Sequence, residues 1–139
     1  MKLTLHHIGV LVPDIAAAAE DYVGNLGYER RTGIVHDATQ TALVQFLCLP
    51  GNAVFIELVS PDGPASKLSN ALQKGGGLNH LCYATDDIEG ACRELRSRSL
   101  FQMQAAVGAV AFGGRRIAWF LGPGRLPIEL VERGVGDEL

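Results

Sequence analysis

The sequence predicts an α+β fold made of two tandem modules, each with the element order β-α-β-β-β. The first observation is an internal repeat, in which residues 7–18 (HIGVLVPDIAAA) align with residues 80–91 (HLCYATDDIEGA) at a constant shift. The second is that IELV at residues 56–59 recurs at residues 128–131. Because the two blocks keep nearly the same offset, they indicate duplication of one supersecondary unit.

The helix of each module follows directly after its first strand. Asp14 and Asp87 stand at equivalent positions, where a carboxylate accepts the unpaired N–H groups of the first helical turn. Apolar residues then recur at helical spacing in both copies. Gly27 and the Ser97–Ser99 stretch are predicted to end the two helices.

Strands make up the rest of each module. In module one they are predicted at residues 3–12, 28–36, 41–49 and 53–60, and in module two at 79–85, 101–107, 115–121 and 126–132. Tight turns, PGN at 50–52 and GPG at 122–124, join the last two strands of each module. We therefore expect one domain with module one at 1–60, a linker at 61–77 carrying a short helix at 65–74, module two at 78–133 and a tail at 134–139.

Composition and charge exclude several classes of protein. The 139 residues are 47% hydrophobic and 19% charged, which is typical of a globular chain. The net charge of −3 and the lack of any basic run argue against nucleic-acid binding. No apolar run is long enough to cross a bilayer, and no signal peptide precedes the first strand. Three cysteines without a CxxC pair indicate a reducing compartment, so we expect a cytoplasmic protein.

Two histidines and two glutamates stand at equivalent positions of the repeat. The first strand of each module carries His7 or His80, and the last carries Glu57 or Glu129. Since a pseudo-twofold axis brings equivalent positions together, the four are predicted to bind one divalent ion of Zn, Ni, Co, Mn or Fe. Strand alternation also places Glu57 in an apolar row, where a carboxylate is disfavoured unless it is paired or metal-bound. Each residue alone is more often a core or surface residue; four at one offset favour the metal site.

Five stretches carry a family resemblance: HIGVLVPDI (7–15), FIELVSP (55–61), GGLNHL (76–81), RIAWFL (116–121) and IELVE (128–132). With them the whole chain resembles the vicinal oxygen chelate superfamily of glyoxalases, bleomycin resistance proteins and extradiol dioxygenases. Within it, the chain is most similar to methylmalonyl-CoA epimerase and glyoxalase I. The resemblance implies that the modules form a curved mixed sheet with a metal-binding cleft, and that the protein is a homodimer. It also implies ligands at His7, Glu57, His80 and Glu129, with Glu57 matching the glyoxalases and replacing the Gln of many epimerases.

The function implied is that of a metal-dependent isomerase, epimerase or lyase acting on a small acyl-CoA or α-oxo substrate. Proton transfer takes place next to a metal-chelated carbonyl, and Glu129 is expected to move the proton. Epimerases of this family place a second glutamate in the loop where this chain has Thr39, and Asp37 is the alternative. A one-base isomerase or lyase, or an epimerase of another acid, therefore fits equally well.

Other residues are weaker candidates for substrate contact. Arg115 and Arg116 follow a Gly-Gly turn and could pair with a substrate carboxylate or a CoA phosphate, the alternative being a solvated strand end. Trp119 and Phe101 are expected in the core, with a pocket-lining role as the alternative.

The rival function is that of a small-molecule binding or antibiotic-resistance protein of the same fold. Bleomycin-binding relatives lack the metal ligands, so the intact set of four argues against pure sequestration. A degenerate family member that holds only structural ions is also compatible with the sequence.

Overall fold

The computed structural model describes residues 1–136 and 138–139. The strands in this part of the chain are β1 (Thr4–Leu11), β2 (Glu29–Arg30), β3 (Val35–Asp37), β4 (Ala42–Cys48), β5 (Phe55–Pro61), β6 (Gly77–Thr85), β7 (Phe101–Gly108), β8 (Arg116–Leu121) and β9 (Pro127–Glu132). The helices are α1 (Ile15–Leu26), α2 (Ser69–Gln73) and α3 (Ile88–Ser97), with single 3₁₀ turns at Val110–Phe112 and Pro123–Arg125. The chain divides into two compact units: the first unit is His7–Asn79, and the second is Met1–His6 with His80–Leu139.

The first unit is a mixed sheet covered on one face by α1. Its strand order is β2-β4-β5-β1, and β3 also pairs with β4. β1 and β5 are parallel, whereas β4 is antiparallel to β2, β3 and β5. Ile15 and Ala19 of α1 pack against Leu47 and Leu58 of the sheet, and all four are buried. Successive residues of a strand point to opposite faces, so the face away from α1 carries His7, Phe46 and Glu57.

The second unit repeats this arrangement. Its strand order is β6-β9-β8-β7, with β6 parallel to β9 and the other pairs antiparallel. One face of the sheet packs against α3 through buried residues: Ile88, Ala91, Cys92, Leu95, Ala118, Phe120, Ile128 and Leu130. The predicted α+β class and the β-α-β-β-β order are therefore present in both units, apart from one strand described below.

Both predicted helix N-caps are confirmed. Asp14 Oδ1 accepts the backbone N–H of Ala17 at 3.2 Å, and Asp87 Oδ1 accepts that of Gly90 at 2.9 Å. α1 ends at Gly27, whose φ of 78° lies in the left-handed region that glycine adopts without strain. The same capping chemistry therefore starts the helix of both units.

The strand predicted at residues 28–36 is wrong as a continuous element. The structure splits it into β2 and β3, because Thr32 uses its side chain in place of the regular ladder. The Thr32 hydroxyl accepts the N–H of Phe46 at 3.1 Å, and its carbonyl accepts Nε2 of Gln45 at 3.0 Å. A side chain that bonds the neighbouring strand's backbone competes with strand pairing at that point.

The helix predicted at residues 65–74 is shorter in the structure, which has only α2. Ser66 is buried and donates its hydroxyl hydrogen to the carbonyl of Thr41 at 2.6 Å. The same hydroxyl oxygen accepts the N–H of Leu68 at 3.1 Å. These contacts hold the first residues of the predicted helix in a turn.

Phe101 was expected in the core, and this expectation is wrong because its side chain is 69% exposed. β7 is the outermost strand of its unit, and alternate side chains along it face away from α3. Gln102, on the opposite face, contacts Arg96 and Cys92 of α3 instead.

None of the helices in the described residues is both long and apolar enough to span a membrane.

Candidate functional site

In the first unit, His7 and Glu57 form a buried pair on neighbouring parallel strands. Gly9 is the register partner of Glu57, so His7 on β1 and Glu57 on β5 share one face of the sheet. Their side chains are 0% and 7% exposed, and His7 Nε2 lies 3.7 Å from Glu57 Oε1. Phe46, the register partner of Glu57 on β4, contacts the His7 ring edge to face at 5.1 Å.

In the second unit, His80 and Glu129 form the equivalent pair. Both are buried, and His80 Nε2 lies 3.3 Å from Glu129 Oε2. Trp119 is the register partner of Glu129 on β8, and its ring contacts the His80 ring edge to face at 4.9 Å. Each unit therefore holds one histidine, one aromatic ring and one glutamate in the same relation.

The geometry of each pair fits a shared divalent cation. Two ligand atoms that each lie about 2.1 Å from one ion are roughly 3 to 3.5 Å apart, which is close to both observed nitrogen–oxygen distances. Each of the four residues offers an imidazole nitrogen or a carboxylate oxygen, the donors that borderline first-row cations prefer. Burying carboxylates among apolar neighbours costs free energy unless a cation compensates their charge. The donors present therefore fit a metal ion.

Thr39 lies on the exposed turn between β3 and β4. Its carbonyl accepts Nζ of Lys67 at 3.2 Å. Asp37, two residues earlier, is only 7% exposed, and its Oδ1 accepts the N–H of Gln40 at 3.1 Å. Of the two positions considered for a second proton carrier, Asp37 is thus a buried carboxylate, while Thr39 has no ionisable group.

Arg116 is held by carboxylates of its own unit. Its guanidinium donates to Glu132 at 2.8 and 2.9 Å and to Glu89 at 2.7 Å. Hydrogen bonding to Glu132 raises the pKa of Arg116, and the same side-chain hydrogen bond lowers the pKa of Glu132. This network, which the sequence analysis missed, leaves the guanidinium committed to protein partners.

Arg115 is held mainly by backbone carbonyls, and its Nε also lies 3.9 Å from Glu138 Oε2. It donates to the carbonyls of Phe112 at 3.1 Å and Glu132 at 3.0 Å, and its guanidinium lies 5.6 Å from the centre of the Phe112 ring. Binding of a substrate by either arginine would require it to exchange these contacts.

Of the aromatic partners of the two histidines, Phe46 was missed as a site residue, whereas Trp119 was expected in the core with a pocket-lining role as the alternative. Phe46 and Trp119 are separated by the same shift as His7 and His80, so the repeat itself contains the information that would have found them. Periodicity alone assigns such residues to the core.

Comparisons with known proteins agree with this fold. The model of the glyoxalase/bleomycin resistance protein/dioxygenase superfamily matches residues 6–119. Ethylmalonyl-CoA/methylmalonyl-CoA epimerase of Cereibacter sphaeroides is 35% identical over 76% of this chain and 80% of that protein. Mitochondrial methylmalonyl-CoA epimerase of Homo sapiens is 31% identical over 78% of this chain. The match covers 61% of the human protein, which is less than two thirds of its length. The crystal structure of methylmalonyl-CoA epimerase from Mycobacterium tuberculosis matches with a TM-score of 0.83 at 30% identity, covering 94% of this chain and 87% of that one.

Proposed function

Because the chain belongs to the glyoxalase/bleomycin resistance protein/dioxygenase superfamily, we propose that it is a divalent-metal-dependent epimerase of a small acyl-CoA. The observation that carries the proposal is the duplicated imidazole–carboxylate pair, at 3.7 Å in the first unit and 3.3 Å in the second. Similar proteins named methylmalonyl-CoA epimerase support the reaction class. A glyoxalase-like isomerase or lyase acting on an α-oxo substrate is the alternative within the same chemistry.

His7, Glu57, His80 and Glu129 together would hold the ion. When bound, a divalent cation acts as a Lewis acid and stabilises negative charge that develops on a substrate carbonyl oxygen. Burial of all four side chains excludes bulk water from the donors, which strengthens their attraction for a cation.

Glu129 is the residue we propose to move the proton. Glu129 is 3% exposed and lies beside His80, so its carboxylate is placed among the proposed metal donors, where it can take a proton from the carbon next to a substrate carbonyl. His80 Nε2 lies 3.3 Å from this carboxylate, and Trp119 is the register partner of Glu129 on the neighbouring strand. The same carboxylate would return the proton in a one-base isomerisation.

Epimerisation needs a second proton carrier, since the proton leaves one face of the carbon and arrives at the other. Asp37, the last residue of β3, is the carboxylate next to the turn that contains Thr39, and it is buried. We therefore propose Asp37 for this role, with Thr39, Arg115 and Arg116 as the candidates for binding the rest of the substrate.

The first test is the metal content of the purified protein and of its Glu57→Ala and Glu129→Ala variants. We expect close to one divalent ion per chain in the wild type and loss of the ion in both variants. Glu20 of α1 is 76% exposed, so Glu20→Ala serves as the control and should keep the metal. A wild type that binds no ion even after reconstitution would refute the proposed site.

The second test separates the reactions. Metal-loaded protein in deuterated water should interconvert the two epimers of methylmalonyl-CoA with deuterium incorporation, and Asp37→Asn should abolish interconversion while Glu129 still exchanges one epimer. Turnover of a glutathione hemithioacetal without epimerisation would assign the glyoxalase-like reaction instead. Metal binding with tight retention of small molecules and no turnover would favour the binding or resistance protein.

Two further properties accompany this proposal. We infer a homodimer from the family resemblance, which sedimentation of the metal-loaded protein would test. We also infer a cytoplasmic location, supported by Cys48, Cys82 and Cys92 being free thiols.

A further inference from the structure

Trp119 carries a polar atom that its packing does not explain. The indole Nε1 is shielded from solvent, and no residue in the described part of the chain accepts a hydrogen bond from it. The ring itself lies against His80 at 4.9 Å, and the residue is the register partner of Glu129. A buried N–H without an acceptor is destabilising, and such groups are rare in folded proteins.

The first unit shows that the ring contact alone does not require an N–H group. Phe46 takes the same position beside Glu57 and contacts His7 edge to face at 5.1 Å. A phenyl ring therefore suffices to pack an imidazole and a carboxylate in this frame. A phenylalanine at residue 119 would provide that contact and leave no donor buried.

We propose that Trp119 is a substrate-positioning residue whose indole N–H donates a hydrogen bond to an oxygen of the acyl substrate. This rests on the proposed function, because the acceptor is a group of the ligand that the four metal-binding residues hold in place. Indole is a donor only, so it selects oxygen acceptors, and it favours those that carry negative charge. Nε1 is covered by neighbouring atoms in this structure, so an acceptor reaches it only when the side chains that cover it move on substrate binding. The substrate offers two such acceptors, the free carboxylate and the thioester carbonyl.

The test uses the metal-loaded protein and two ligands that differ in one group. Methylmalonyl-CoA carries the free carboxylate, and propionyl-CoA lacks it. Trp119 is the only tryptophan of the chain, so its fluorescence reports directly on whether a ligand reaches it. We expect methylmalonyl-CoA to shift the emission of the wild type, with a saturation curve that matches calorimetric binding.

Two replacements separate the N–H from the ring. Trp119→Phe keeps an aromatic ring beside His80, and benzothienylalanine incorporated at residue 119 keeps the bicyclic shape while placing sulfur where the N–H was. Both should bind methylmalonyl-CoA about tenfold more weakly by calorimetry, the effect of losing one hydrogen bond, with unchanged metal content. If propionyl-CoA binding is weakened equally, the acceptor is the thioester carbonyl; if it is unchanged, the acceptor is the carboxylate.

The outcomes distinguish this inference from the proposed function. If both replacements bind methylmalonyl-CoA as tightly as the wild type does, the role of Trp119 is overturned, while the proposed function still stands. Wild-type protein that holds its metal but binds neither acyl-CoA would refute the acyl-CoA function, and this inference with it. Loss of metal in either replacement would assign Trp119 to support of His80 instead, which also contradicts the proposal.

Discussion

The two units of the molecule share one set of equivalent residues, called the frame below, but differ in the residues around it. Each has an aspartate that caps its helix, a histidine on its first strand, and an aromatic residue and a glutamate paired in register on its last two strands. These shared features are those needed to start the helix and to place the two proposed metal donors of each unit side by side. The repeat has therefore kept the positions on which the fold and the proposed metal site both depend.

The differences lie around that frame. At equivalent positions of the repeat, Leu43 is the register partner of Ser60 in the first unit, whereas Arg116 is hydrogen-bonded to Glu132 in the second. The outer strand of the first unit is broken, and its part β2 is charged, whereas β7 is a single uncharged strand whose pairing with β8 shifts register twice. Residues that are not repeated cannot be explained by the frame, so they are the places to look for functions that belong to one unit.

The largest effect should come from removing one histidine ligand from either unit. His7→Ala and His80→Ala should each lower metal affinity by more than about 100-fold, because even residues that only support a ligand commonly contribute 10- to 100-fold. Competition titration against a metal-binding dye measures this. The comparison predicts equal losses, and a large loss in only one variant would show that the two pairs do not contribute alike.

The aromatic residues should differ in their contribution to stability. Phe46 is 1% exposed, so Phe46→Ala should lower the free energy of unfolding by about 3–5 kcal/mol. Trp119 is only partly buried, so Trp119→Ala should cost less despite its larger ring. Urea unfolding of the metal-free proteins makes the measurement independent of ion binding.

Phe46→Leu and Trp119→Phe are the matched conservative variants and should recover most of the lost stability. A larger loss of unfolding free energy for Trp119→Ala than for Phe46→Ala would contradict the expectation that Trp119 contributes less to stability. It would mean that Trp119 is needed for the fold of its unit, and that its N–H is a by-product of packing.

The frame was predictable from sequence because it is repeated and local. Asp14 and Asp87 act within one helical turn, and the repeat alone picked out both histidines and both glutamates. The gap between β2 and β3 was not predictable, because it depends on the Thr32 hydroxyl meeting the N–H of Phe46, fourteen residues later.

Exposure of Phe101 depends on which strand lies outermost, and alternation along one strand cannot show this. The same limit applies to Arg116. Its partners Glu89 and Glu132 come from α3 and β9, so the network exists only once those elements pack together. Contacts between elements that are distant in the sequence could thus not be predicted from the sequence pattern.

The smallest effect should come from the Arg116–Glu132 pair, which the first unit lacks. The hydrogen bond from Arg116 lowers the folded-state pKa of Glu132, so the pair stabilises the fold above the unfolded-state pKa of a glutamate, about 4.3. This contribution is lost as the pH falls through the lower, folded-state pKa. Glu132→Gln should therefore reduce the stability of the fold slightly at pH 7. Below about pH 4 the stability of this variant should decrease less with falling pH than that of the wild type, as measured by thermal unfolding across pH. The control Glu89→Gln removes another carboxylate from the same arginine, and its stability should still fall at acid pH as that of the wild type does. If Glu89→Gln reduces this fall in stability as much as Glu132→Gln does, Glu132 is not the group responsible.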